Sequence, residues 1–88
     1  MWEDTNLNVL IGTLSDDLVV AIFGPVEPER VPADWNMVNI LVLAAIFPSK
    51  SQARKNFKGP LDIPFGSHLF TLGKKKLKVF VHRAVTED

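Results

Sequence analysis

The sequence predicts a small single α+β domain in which two consecutive helices pack on a small antiparallel sheet that finishes in a C-terminal β-hairpin. Three observations lead there. Residues 34 to 47 carry apolar side chains at helical spacing, with Val38, Leu41, Val42 and Ala45 at i, i+3, i+4 and i+7. Pro48 and Ser49 then stop one helix and start another. From His68 to Val85 the pattern changes to β spacing on either side of Gly73-Lys74-Lys75. The 88 residues suffice for one modest core, with roughly 60% of the unfolded surface buried. We divide them into residues 1–24, an apolar segment that completes the core, and residues 25–88, the body of the domain.

The first segment, Leu7 to Gly24, allows two readings. Its β-branched content and the Ser15-Asp16-Asp17 break fit a hairpin. Equally, Ser15 can cap a short helix through Leu18, Val19, Ile22 and Phe23, with Asp16 and Asp17 at its positive start. Residues 24 to 34 hold three prolines and form a connector. Asp34 is then placed to cap a helix through Phe47. Ile40, Leu43 and Ile46 make that helix apolar almost all round, which marks it as buried.

Ser49 is placed to cap the second helix in a capping box with Gln52. At about 100° per residue, Lys50, Arg54 and Lys58 form one stripe and Ala53 and Phe57 the adjacent one. One stripe packs while the other presents cations, and Gly59-Pro60 is the stop. Beyond it, Pro60 to Pro64 reads as a short extended piece and Phe65-Gly66-Ser67 as a turn. In the last strand Leu77, Val79 and Val81 share one face, and Lys76, Lys78, Phe80 and His82 the other. A basic face carrying one aromatic ring suits phosphate neutralisation with base stacking.

The formal net charge of zero conceals a separation. Residues 1 to 48 hold seven carboxylates and one cation, Arg30, whereas residues 49 to 85 hold nine cations and one carboxylate, Asp62. Such asymmetry points the second half toward a polyanion. There is no Cys, hence no disulfide or thiolate metal site. His68 and His82 have no partnering carboxylate at ligand spacing, and no Gly-rich phosphate loop is present. We therefore expect no enzyme activity, catalytic residue, metal or cofactor. Nothing at the start reads as a secretory signal, and the longest apolar run, Ile40 to Phe47, falls short of the about 20 residues that span a bilayer. A cytoplasmic location, or an organellar matrix, is the expectation.

The order of buried helix, Pro48-Ser49-Lys50-Ser51-Gln52-Ala53-Arg54 turn, basic helix ending at Gly59 and late Gly73-Lys74-Lys75-Lys76 hairpin resembles the small αL RNA-binding domain first described in a ribosomal small-subunit protein. Within that family it is most similar to the C-terminal tRNA-binding domain of bacterial and organellar tyrosyl-tRNA synthetases. The similarity covers residues 21 to 83. It implies that Lys50, Ser51, Arg54, Lys55 and Lys58 lie on an RNA face of the second helix. Lys74, Lys75, Lys76 and Lys78, with Arg83 at the end of the strand, would bear on the RNA backbone. One departure is plain: the family follows its second helix with a Gly-rich turn and a strand ending in Asn-Gly, whereas here a shorter segment reads GPLDIPFG.

The function expected is thus a non-catalytic RNA-binding domain for structured RNA, tRNA-like or ribosomal, using a basic helix and a basic hairpin. The alternative is a small protein-interaction module, viral or accessory, that keeps the scaffold and binds a protein partner. A third reading is a detached piece of a synthetase.

Overall fold

The computed structural model describes residues 5–85. The chain runs β1 (Leu7–Ile11), α1 (Asp16–Phe23), β2 (Glu29–Val31), α2 (Met37–Leu43), α3 (Lys50–Asn56), β3 (Gly66–Leu72) and β4 (Leu77–Arg83). The α+β class and the single small domain hold. The sheet is mixed, in the order β2-β1-β4-β3. Only β3 and β4 pair antiparallel, while β1 runs parallel to both β2 and β4, which corrects the expectation of an all-antiparallel sheet.

Both faces of the two central strands, β1 and β4, are covered. On one, Val9, Ile11, Val79 and Val81 pack with Val38, Ile40 and Leu41 of α2 and Ala53 of α3. On the other, Leu10 and Phe80 pack with Val19 and Phe23 of α1. Two uninterrupted buried runs result, Val9-Leu10-Ile11 and Val79-Phe80-Val81. Such runs belong to strands sandwiched between helices, since a strand with one wet face would alternate. Phe80 is therefore not a ring offered to solvent: it meets Phe23 edge-on, and the stacking face expected on β4 does not exist.

The open choice at residues 7–24 falls to a strand followed by a capped helix. Ser15 Oγ accepts the Leu18 N–H, and Asp16 and Asp17 occupy the first turn of α1. Gly24, at φ 66°, closes the helix with its N–H on the Val20 carbonyl. β2 is only three residues long, bounded by Pro28 and Pro32.

Helix α2 is shorter than expected at both ends. Its cap is Asn36 rather than Asp34: Asn36 Oδ1 accepts the Val38 N–H at 3.0 Å, and Asn39 Oδ1 accepts the Asn36 N–H at 3.0 Å. It stops at Leu43, before Pro48 exerts any constraint. The Ile46 N–H bonds to the Leu41 carbonyl and the Ala45 N–H to the Val42 carbonyl, each at 3.0 Å. Together these form a Schellman ending, with Ala45 at φ 60° where glycine is usual. The expected extended piece at residues 60–64 is not a strand either. Residues 57–65 are irregular, pinned by the fully buried Ile63 and by the Leu61 carbonyl accepting the Met37 N–H at 2.8 Å. Gly66, expected in a turn, opens β3.

Candidate nucleic-acid interface

Ser49 caps α3 as the sequence suggests, its Oγ accepting the Gln52 N–H at 3.3 Å. Gln52 does not reach back to close a capping box, because its Oε1 accepts from Asn56 Nδ2 at 2.9 Å. Ala53 is fully buried and Phe57 half-buried against the core. The other side of α3 carries Lys50, Ser51, Arg54 and Lys55, all exposed. The helix ends at Asn56 because Phe57 turns extended at φ −79°, ψ 127°. Lys58 is consequently outside the helix, though still exposed. A Cβ on Gly59 would lie 2.7 Å from the far end of the Phe57 ring, so any larger residue there requires that ring to move.

The hairpin turn, residues 73–76, pairs Leu72 with Leu77 and closes by a Lys76 N–H bond to the Gly73 carbonyl at 3.2 Å. Gly73 at φ 75° and Lys76 at φ 54° both take left-handed backbone. This turn lies beside the α2–α3 connection: Ile46 comes within 3.5 Å of where a Gly73 Cβ would stand. Between them runs a groove of about 550 Å³, lined by residues 44–47 on one side and by Leu72, Leu77, Lys74 and Lys75 on the other. Phe47 lines the groove and Ser49, two residues on, caps α3, so the basic helix begins two residues from the groove wall that faces the lysine turn, at one pole where these elements come together.

Seven of the ten residues named from the sequence, Lys50, Ser51, Arg54, Lys55, Lys74, Lys75 and Lys76, lie on the elements that meet at this pole, and Lys58 follows α3 at its far end. Lys78 does not join them, since it pairs with Thr71 on the sheet face that α1 covers. Arg83 is at the opposite end of β4. Its Nη1 donates to the Ile63 carbonyl, and its guanidinium lies 4.5 Å from the Phe65 ring centroid. That side chain is engaged in holding residues 57–65 to the sheet. Among the described residues the one ion pair is Arg30 with Glu27, so none of the eight cations of residues 50–78 has a carboxylate at bonding distance.

A second cavity, about 530 Å³, opens at the carboxyl ends of the parallel strands, between residues 12–15, Val31, Ala33 and Ala84. Asp16 and Asp17 stand in the first turn of the helix beside it, and Asp34 follows β2. None of these carboxylates lines the cavity, whereas Lys74 and Lys75 line the first groove. His68 and His82 are both held within the fold: His68 Nε2 donates to the Pro64 carbonyl at 3.0 Å, and His82 Nδ1 bonds Ser67 Oγ at 2.7 Å. Burial, together with the nearby His68, lowers the pKa of His82 below its ordinary 6.5. Among the described residues no group of three His, Asp or Glu side chains is arranged to hold a metal, and no helix is long and apolar enough to cross a membrane.

Sequence reasoning missed the groove itself. Ala45 and Ile46 read as helix interior, and nothing local marks them as its wall. No protein-family model, curated protein or solved structure matches the chain.

Proposed function

We propose that this protein is a non-catalytic RNA-binding domain that grips the backbone of structured RNA, tRNA-like or ribosomal. The observation that carries the reading is the exposure of cations without carboxylate partners on two elements, the 73–76 turn that lines the groove and α3, whose cap Ser49 follows the groove residue Phe47 by two positions. Lys50, Arg54 and Lys55 on α3 and Lys74, Lys75 and Lys76 on the turn would each neutralise a phosphate and release its counterion. Ser51 adds a hydroxyl for backbone oxygens. With Phe80 buried against Phe23, no ring on β4 is left to stack a base, so selectivity rests on RNA shape. The resemblance to the αL domain supports the same reading from the sequence.

A titration with structured tRNA at several salt concentrations tests it. With about four to six phosphate contacts, log K should fall with log salt at a slope of roughly −3 to −5. Absence of binding, or binding indifferent to salt, would overturn the reading. The second reading, a protein-interaction module on the same scaffold, is favoured by residues 57–65, where Ile63, Phe65 and Arg83 build a fixed irregular loop. Joint replacement of Lys50, Arg54 and Lys58 by Glu abolishes RNA binding under the first reading and leaves partner capture intact under the second.

A further inference from the structure

The two edges of the sheet are treated differently. β2 is three residues long, carries Glu29 and Arg30, and is bounded by prolines, all of which discourage another strand from adding to it. β3 has none of these protections. It runs seven residues, GSHLFTL, without a charge, a proline or a bulge, and it keeps unbroken register with β4 from Gly66 to Leu72. Among the described residues no backbone hydrogen bond reaches its outer side. Leu69, at its middle, is 57% exposed. A long, uncharged, regular edge with an apolar centre is a template for strand addition.

We propose that β3 pairs antiparallel with β3 of a second copy of this chain, about a two-fold axis through Leu69, to give a continuous eight-stranded sheet. The strand is self-complementary about that residue. Leu69 meets Leu69 of the second copy, Ser67 meets Thr71 and His68 meets Phe70, and all seven residues from Gly66 to Leu72 find a partner. Leucine pairs, Ser–Thr pairs and aromatic pairs directly opposite one another are each stabilising in antiparallel sheets, and no like charges are opposed. A shift of the pairing by one residue would oppose inward-facing to outward-facing backbone groups, and a shift by two residues, which moves the axis by one, loses contacts at the ends of the joint.

Charge permits the arrangement. Antiparallel pairing sends the two lysine turns to opposite ends of the joint, roughly 27 Å apart at about 3.4 Å per residue, well beyond the screening length of about 8–10 Å. A second copy fits better than an extended peptide. Peptides added to an edge are selected by pockets for alternate side chains, and the two cavities described above open at the ends of the strands rather than along β3. The contact is confined to one strand, so the dimer is a concentration-dependent one.

Sedimentation over a range of protein concentrations, with single-cysteine variants of this cysteine-free chain, tests the proposal. The parent protein should pass from monomer to dimer as concentration rises, and Leu69→Lys, which opposes two cations on the axis, should remain monomeric with its circular dichroism unchanged. Leu69→Cys should oxidise to a covalent dimer at least tenfold faster than Val20→Cys, a somewhat more exposed position on α1. A protein that stays monomeric at high micromolar concentration would overturn the proposal. So would a dimer that Leu69→Lys does not disturb, or equal cross-linking at the two positions.

Discussion

Phe23 on α1 stands edge-on to Phe80 on β4, with ring centroids 5.4 Å apart and planes inclined at 80°. The contact joins the α1 layer to the sheet and removes from solvent the one aromatic ring that a basic β4 face would have offered. Edge-to-face pairs add about 0.5–1.5 kcal/mol beyond area burial. Phe80→Ala is therefore expected to destabilise the domain by about 3–5 kcal/mol. Urea unfolding of Phe23→Ala, Phe80→Ala and the double variant checks this, with a coupling energy of about 0.5–1.5 kcal/mol expected from the cycle. Coupling near zero would remove the pair as the link between layers.

Ala45 holds the left-handed position of the Schellman ending of α2. A side chain there costs about 1–2 kcal/mol in backbone strain, part of which glycine would return as greater freedom in the unfolded chain. Ala45→Gly should raise the stability by about 0.5–1 kcal/mol without altering the fold. Thermal unfolding decides it, and a lower melting temperature would contradict the assignment.

Arg83 should behave unlike the other cations named from the sequence. Arg83→Ala removes the hydrogen bond to the Ile63 carbonyl and the contact with Phe65, for a cost of about 1–3 kcal/mol. Hydrogen exchange at residues 57–65 should accelerate, and the salt slope of RNA binding should stay at its parent value. By contrast, Lys74→Ala should reduce that slope by about 0.7–0.9. A slope that changes with Arg83 and not with Lys74 would reverse the two roles.

His82 gives the stability a pH dependence. Its folded pKa lies below the ordinary 6.5, so as pH falls the unfolded chain takes up the proton first. The contribution of neutral His82 is complete above about pH 6.5 and is lost progressively as pH falls from there through the lowered folded value. Stability measured by urea unfolding should decline on acidification through that window, and less so in His82→Gln. Equal decline in both proteins would assign the effect to other groups.

The capped start of α3, the Ala53–Phe57 packing stripe, the exposed cations beside it and the Gly73 turn were legible because each depends on residues within one helical turn or one hairpin, whereas the Ser15 cap of α1 was one of two open readings. Three other features depended on partners distant in sequence. Leu7 to Ile11 became the centre of the sheet because β2 and β4 both pair with it, and that pairing, which no local pattern encodes, made the sheet mixed. Phe80 went inside because α1, some 60 residues earlier, lies over it; alternation alone assigns two faces to a strand and cannot say whether the second is wet.

The same holds for the cations of the chain's second half. The cations and their count are properties of the sequence alone. Tertiary structure decided which of them share a place: Ile46 against Gly73 brings the lysine turn to the start of α3, the sheet carries Lys78 to its other face, and Ile63 and Phe65 hold Arg83 away. The physical reason is that caps and turns are fixed by nearest-neighbour hydrogen bonds and backbone geometry. Burial, by contrast, is fixed by whichever surfaces the whole chain can bring together.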